Sequence, residues 1–323
     1  MNTHVPTLSE ALARRFDELR FEQLHSDDIH AIKRLLLDYL GVAVAGSRTG
    51  SGKAAAELAR SLDGRAEATL IGHAGRVPAL YAAFANAIAS HSVELDDIDV
   101  LALFHFSPPV YSAALALASG CEMMERVSNA ANNSLRNRGY HSTPTCGIFG
   151  ATVAAARLHG LSQEQTVSAL GLAGAQSGGL MEMYGPSMQK RFNPGPAARG
   201  GITAAMLAKF GFTGAATIFD GERGFLAAFT DTNQPQRMIE GLGERYRLDI
   251  EFKPYSCARP IHNAIDCALE IRRRYAPDLG RIARIVMARH PDWAHYHQNA
   301  TPKTYHEAQV SLPYSVAVAL HDG

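Results

Sequence analysis

Apolar side chains recur at helical spacing near the start of the chain. The positions are Ile29, Ile32, Leu36 and Leu40. Residues three or four apart share one face of an α-helix, so this spacing predicts an amphipathic helix. Ser26 is the predicted N-cap, and Asp27 and Asp28 place acidic groups in the first turn, where they favour the helix dipole. Gly41 is the predicted end of the helix.

Later segments continue the helical pattern. The predicted helices are 79–90, 147–159 followed by Gly160, 163–175 opened by a Ser162/Gln165 capping box, and 202–210 followed by Gly211. Their many alanines and glycines permit short distances between helix axes, which favours a compact all-helical domain. Strand character is predicted only at 281–288, where β-branched and charged residues alternate. A smaller α+β region is therefore expected to begin around Lys253.

Composition narrows the class of protein. The 323 residues contain 31 Lys+Arg and 31 Asp+Glu, so the formal net charge is zero, which argues against a nucleic-acid binder or a polybasic membrane-surface protein. With 46% hydrophobic and 19% charged residues, the chain can bury a large core. No signal peptide, apolar stretch of membrane-spanning length or paired cysteine motif is present, so a soluble cytoplasmic protein is expected.

An acidic segment follows the predicted helix 79–90. Glu94, Asp96, Asp97 and Asp99 lie within six residues of one another, with His91 before them and His105 after them. Clustered carboxylates near a histidine can supply a general acid or base. A solvated helix end explains the same composition, and by the residues alone that simpler interpretation is favoured.

Four other places carry candidate chemistry. His141 lies on a polar loop beside a helix start, where it could move a proton or satisfy loop backbone. Lys190 or Arg191 could bind a carboxylate, or be surface charges at a helix start. His262 and Asp266 share a helix face beside Arg259, so the carboxylate could orient the imidazole, or the two could form a plain surface pair. The Tyr314 hydroxyl could donate a hydrogen bond to a substrate. Without other evidence, however, Tyr314 would be predicted to lie in the hydrophobic core.

Seven short motifs occur in an order that resembles the MmgE/PrpD family. They are DYLGVAVAG at 38–46, HSVELDD at 91–97, GYHSTPT at 139–145, KRFNPGPAARGG at 190–201, GFTG at 211–214, FKPYSC at 252–257 and SLPYSVAVAL at 311–320. The resemblance implies an all-helical domain at 1–250 and the start of an α+β lid domain at 251–323, with an active site between the two. It also implies a homodimer without metal or other cofactor, acting on a small di- or tricarboxylate.

The family's acidic, histidine, lysine and tyrosine motif positions fall on Glu94, His105, His141, His262, Lys190 and Tyr314. The reactions of this family need charge stabilised beside a carboxylate and a proton moved at carbon, which suggests a role for each of these residues and for Arg259. Lys190, Arg259 and His262 would hold substrate carboxylates, and His141 would move a proton to or from carbon. His105 or Tyr314 would assist at the leaving group. Glu94 and Asp96 would orient or tune the histidines.

The chain departs from the family pattern in three places. Ile98 and a differently spaced His105 follow the acidic motif, a stretch of the family's helical domain is missing between Ser119 and Cys121, and family members continue past the point that corresponds to Gly323. A 2-methylcitrate dehydratase-like reaction is the first expectation. The alternatives are cis-aconitate decarboxylase-like or iminodisuccinate epimerase-like activity, or a shortened, non-catalytic paralogue that acts as an oligomerisation or binding module.

Overall fold

The computed structural model describes residues 5–113, 117–183, 187–244, 248, 250–294 and 296–323. The chain divides into two compact units. Unit 1 comprises Met1–Glu182 and Gln189–Phe252, and unit 2 comprises Met183–Met188 and Lys253–Gly323. The mainly helical fold class that the sequence predicts is confirmed.

Unit 1 is built from helices and one short hairpin. Its elements are α1 (Leu8–Glu18), α2 (Ser26–Gly46), α3 (Gly50–Ser61), β1 (Ala68–Thr69), β2 (Arg76–Val77), α4 (Ala79–Ser90), α5 (Ser107–Ala113), α6 (Leu117–Ala131), α7 (Ser134–Asn137), α8 (Ser142–His159), α9 (Gln163–Gly174), α10 (Gln189–Phe192), α11 (Pro194–Lys209) and α12 (Phe225–Phe229). Strands β1 and β2 pair antiparallel, with Ala68 opposite Val77.

Helix α8 lies at the centre of unit 1, because every residue from Ser142 to Ala156 is buried. Phe149 of α8 packs against Phe219 and Phe225, with ring centroids 4.8 Å and 5.2 Å apart. Glycines let neighbouring helices come close to it. A Cβ atom added to Gly201 of α11 would meet the Ala151 Cβ at 2.5 Å, so only glycine fits at this helix crossing.

Unit 2 has a small core of its own. Its helices are α13 (His262–Tyr275), α14 (Pro291–Ala294), α15 (Tyr305–Gln309) and α16 (Leu312–His321). Ile261 and Ile265 join Leu312 and Val316 in one buried cluster, which ties α13 to α16.

The structure confirms several predicted helix boundaries. Helix α4 covers the predicted range 79–90, and α8 ends before Gly160, which adopts the left-handed conformation at φ 64°. The Ser162/Gln165 capping box opens α9. Helices α8 and α11 begin earlier than predicted, at Ser142 and Pro194.

Other predictions are wrong. Helix α2 continues through Gly41 to Gly46, because a glycine inside a helix costs only about 1 kcal/mol relative to alanine. The N-cap position is occupied by His25, and the predicted cap Ser26 is the first residue of the helix. The predicted strand at 281–288 is not formed. The described residues contain no neighbouring strand that would pair with it, and an unpaired run of β-branched residues makes no ladder. No described helix combines the length and the apolar composition that a membrane crossing requires.

Candidate active site

The acidic segment after α4 is buried, which contradicts the favoured interpretation of a solvated helix end. Glu94, Asp96 and Asp97 are 0% exposed and Asp99 is 1% exposed. Glu94 has a positive φ of 54°, a left-handed conformation that is uncommon for residues other than glycine.

Two of these carboxylates hold the loop that precedes α5. Asp97 accepts hydrogen bonds from the backbone N–H groups of Phe106 (2.7 Å) and Ser107 (3.2 Å) and from the Ser107 hydroxyl. Asp99 accepts from the N–H groups of Leu101 and Ala102, each at 2.8 Å. Burial, and then the neighbouring Asp96, raise the pKa of Asp97. The two aspartates therefore fix the backbone that presents His105.

Asp96 joins two histidines. Its Oδ2 atom lies 2.7 Å from Nδ1 of His91 and 3.1 Å from Nδ1 of His105. His105 Nδ1 also lies 2.6 Å from the carbonyl oxygen of Asp97. Burial is the main cause that lowers the pKa of His91, to about 4, against the opposing effect of Asp96. His91 is therefore neutral near pH 7.

His141 approaches the same cluster from the start of α8. It is the N-cap residue of that helix, and its ring centroid lies 6.3 Å from that of His91. The Asn193 side-chain amide donates to His141 Nδ1 over 3.0 Å. Burial, followed by the nearby His91 and Lys190, holds the pKa of His141 well below its usual range. The neutral ring therefore carries its proton on Nε2.

The two predicted cations are buried beside this group, so they are not surface charges. Lys190 is 5% exposed and Arg191 is 2% exposed. Lys190 Nζ forms an ion pair with Glu94 Oε1, and Arg191 Nη2 lies 3.4 Å from the same oxygen. Glu94 is therefore the counter-charge of two cations, whereas Asp96 contacts the histidines.

The side chains of His91, Asp96 and His105 form a group of the donor types that bind metal ions, with candidate atoms within 4.8 Å of one another. The spacing fits hydrogen bonding better. Two ligands about 2.0 Å from a tetrahedral zinc ion lie roughly 3.3 Å apart. The distance from His91 Nδ1 to Asp96 Oδ2 is 2.7 Å, which is that of a charge-assisted hydrogen bond.

The remaining predicted residues belong to unit 2. His262 is buried, and its Nε2 lies 3.2 Å from the Cys257 carbonyl oxygen. The prediction that Asp266 orients His262 is wrong, because Asp266 instead accepts a hydrogen bond of 2.7 Å from the Tyr255 hydroxyl. Burial is the first cause that lowers the pKa of His262, and Lys253, itself buried, adds to it.

Two further residues of unit 2 lie at accessible positions. Arg259 is partly exposed and donates to Asn263 at 3.2 Å. Tyr314 lies in the first turn of α16 and is 45% exposed, so it is not a core residue.

Sequence reasoning proposed no site role for three residues that the structure places among or beside the candidates. His91 and Asn193 contact the predicted residues of unit 1, and Lys253 is a buried cation beside His262. All three lie inside the quoted motifs HSVELDD, KRFNPGPAARGG and FKPYSC. Their place in these motifs could have marked them as candidate site residues, but a motif does not show which side chains are in contact.

Comparisons with known proteins agree with the order of the motifs. A family model for the MmgE/PrpD N-terminal domain matches residues 10–238, and one for the MmgE/PrpD C-terminal domain matches residues 255–323. The chain is 30% identical over 346 residues to the cis-aconitate decarboxylase-like protein oryM of Aspergillus oryzae, covering 94% of this chain and 71% of the relative.

Two further relatives carry the name cis-aconitate decarboxylase. The protein of Aspergillus terreus is 27% identical, over 94% of this chain and 70% of the relative. The human protein is 28% identical, over 98% of this chain and 71% of the relative.

Proposed function

The chain belongs to the MmgE/PrpD family, and from that premise we propose that it is a lyase that releases carbon dioxide from a small unsaturated tricarboxylate of the cis-aconitate class. One observation carries the proposal. Two buried histidines carry their protons on different ring nitrogens, His141 on Nε2 and His105 on Nδ1. Nε2 of His141 can therefore donate a hydrogen bond, whereas Nε2 of His105 can accept one. They share a cluster with the ion-paired Lys190, whose charge acts on His141.

Decarboxylation needs an electron sink and a proton. The carbon–carbon bond to the departing carboxylate breaks, carbon dioxide leaves, and the electron pair moves into the conjugated double bond and carboxylate. A carbon–hydrogen bond then forms with a proton from the protein. His141 is neutral in the free protein, and a nearby substrate carboxylate favours its imidazolium form. The substrate therefore helps to create its own proton donor at His141.

The cations stabilise the charge that develops on the substrate. Lys190 and Arg191 are buried, and the electrostatic effect of a buried charge is larger than that of a solvated one. Glu94 holds both in place before substrate binds. We further propose that Arg259 and His262 bind substrate carboxylates and that His105 or Tyr314 assists at the leaving group.

The names of the relatives favour decarboxylation over the dehydration that the sequence analysis put first. Each relative described above is named as a cis-aconitate decarboxylase or as a protein like one. Dehydration of 2-methylcitrate and epimerisation at a carbon beside a carboxylate also need a proton transfer at carbon. Their products differ from those of decarboxylation, so one experiment can distinguish the three reactions.

Proton NMR in deuterated buffer tests the proposal with cis-aconitate, citrate and 2-methylcitrate. We expect cis-aconitate to give new alkene signals, deuterium at carbon and one equivalent of carbon dioxide. Conversion of 2-methylcitrate without release of carbon dioxide would replace decarboxylation by dehydration. Deuterium exchange with no change of mass beyond the label would indicate epimerisation, and no reaction from folded protein would favour the non-catalytic paralogue.

A variant separates proton transfer from binding. His141→Ala is expected to lower kcat about 100- to 10,000-fold, the usual contribution of a general acid, while calorimetry still detects substrate binding. His159→Ala is the matched control, because His159 is an exposed histidine at the end of α8. Equal turnover in His141→Ala and wild type would remove His141 from the mechanism.

A further inference from the structure

His91 lies at the centre of the histidine cluster. It is fully buried, and its ring stands edge-on to His105 with centroids 4.7 Å apart. Its Nδ1 is hydrogen-bonded to Asp96, while its Nε2 is buried and has no hydrogen-bond partner among the described residues. The groups that act on it electrostatically are Asp96, His105 and Glu94.

The contacts fix where the protons are. A carboxylate and a carbonyl oxygen only accept hydrogen bonds, so the nitrogens that face them must donate. His105 Nδ1 faces two acceptors, Asp97 O at 2.6 Å and Asp96 Oδ2 at 3.1 Å, and therefore carries the proton. His91 Nδ1 donates to the same Asp96 oxygen at 2.7 Å. In the neutral form of each ring, the lone pair is therefore on Nε2.

We propose that His91 is a positioning residue: it holds Asp96 as an ionised acceptor, and Asp96 in turn keeps His105 in the tautomer whose Nε2 can accept a proton. Hydrogen bonds to the charged form are what keep a buried carboxylate ionised. Without the His91 donor, Asp96 would tend to bind a proton and donate it to His105 Nδ1. Asp97 O would still require a donor at that nitrogen, so His105 would divide between two tautomers.

The catalytic consequence rests on the proposed function, but the tautomer does not. Long-range 1H–15N NMR of 15N-histidine-labelled protein distinguishes the two tautomers of His105 without any turnover. We expect the Nδ1–H form in wild type and a mixture in His91→Phe, which keeps a ring but has no donor. His91→Asn places an amide N–H near the former Nδ1 position and should restore the Nδ1–H form.

Kinetics with cis-aconitate give the second readout. His91→Phe should lower kcat about 10- to 100-fold with little change in KM, as for other residues that orient a catalytic side chain, and His91→Asn should recover most of the loss. His159→Phe makes the same substitution at an exposed histidine and should change neither tautomer nor rate.

Three results would overturn the proposal: an Nε2–H His105 in wild type, an unchanged His105 tautomer in folded His91→Phe, or a wild-type kcat in that variant. Should His91→Phe not fold, His91→Gln serves instead, because its amide lies at the position of Nε2 and leaves Asp96 without the Nδ1 donor. Absence of turnover with every tricarboxylate would defeat the proposed function and leave the NMR result to decide on His91.

Discussion

At the scale of single residues, unit 1 buries charge that water would otherwise stabilise. Glu94 meets Lys190 and Arg191, and Asp96 meets His91 and His105. An isolated buried charge is costly, so such groups persist only with partners that offset the loss of hydration. Pairing therefore explains how a folded protein can bury several ionisable side chains at one site.

Loss of Glu94 should reduce the free energy of unfolding more than loss of its partner Lys190. Glu94→Gln removes the counter-charge of two buried cations and is expected to lower the free energy of unfolding by about 3–5 kcal/mol. Lys190→Met should cost less, because Arg191 still faces Glu94 at 3.4 Å. Urea unfolding measures both.

An exposed ion pair supplies the control for this measurement. Arg138 and Asp231 form a pair in which the side chains are 40% and 67% exposed. Arg138→Ala should therefore cost less than about 1 kcal/mol. Equal losses in Glu94→Gln and Arg138→Ala would contradict the buried pairing.

Burial of neutral His91 should make stability depend on pH. Above pH 6.5 the ring is neutral in both the folded and unfolded states. As pH falls from 6.5 towards about 4, the unfolded chain binds a proton that the folded protein does not, so stability decreases. His91→Asn cannot titrate, and its unfolding free energy should fall less steeply, by up to about 1.4 kcal/mol per pH unit.

The difference between the two proteins isolates this effect. Burial raises the pKa values of Asp97 and Glu122, which gives a pH dependence of opposite sign. Those carboxyl groups are present in wild type and in His91→Asn alike. Parallel stability curves between pH 4 and 6.5 would show that His91 is not held neutral.

At the scale of elements, small residues decide which helices can touch. Helix α8 is buried over fifteen consecutive positions, and α11 crosses it where Gly201 meets Ala151 and Thr152. Glycine is a poor helix former, so its value at such a crossing lies in the missing Cβ atom. A glycine on an exposed helix surface gives no such packing advantage.

Two helical glycines make a matched test of this explanation. Gly201→Ala would place a Cβ atom 2.5 Å from the Ala151 Cβ and 2.7 Å from the Thr152 nitrogen, so we expect a loss of about 1–3 kcal/mol from overpacking. Gly41→Ala in α2 has nothing within 4 Å and should gain about 0.5–1 kcal/mol. Thermal melting compares the variants, and a stable Gly201→Ala would refute the close crossing.

At the scale of the whole molecule, two units with separate cores carry the predicted residues. Glu94, Asp96, His105, His141 and Lys190 belong to unit 1, whereas Arg259, His262 and Tyr314 belong to unit 2. The sequence also balances 31 basic against 31 acidic residues. The homodimer implied by the resemblance stays a prediction, which sedimentation velocity can check.

The charge balance predicts a minimum of solubility near neutral pH. The isoelectric point is about 7.3, and molecules without net charge repel one another least. Exposed apolar side chains such as Phe210 (78%) and Phe212 (59%) then favour association. Solubility in ammonium sulfate should be lowest near pH 7.3, and Phe210→Glu should raise it. A solubility that is flat between pH 6 and 9 would contradict this prediction.

The sequence by itself determined the local structure and the family. Neighbouring residues are enough to predict the bounds of α4, the Ser162/Gln165 cap and the helix end at Gly160. The type and spacing of residues determine these short-range hydrogen bonds. Seven ordered motifs identified the MmgE/PrpD family before any contact was known.

Only the tertiary structure decided what the charged residues do. The segment from Glu94 to Asp99 has the composition of a solvated helix end, yet its carboxylates are buried, and Glu94 pairs with Lys190 of α10. Local pattern cannot show that Asp96 joins two histidines or that Asn193 sets the tautomer of His141. The contact of Asn193 with His141 joins residues 52 positions apart, and the contacts of Asp96 lie in an irregular segment that follows neither helical nor strand spacing, so burial and proton position depend on the packed structure.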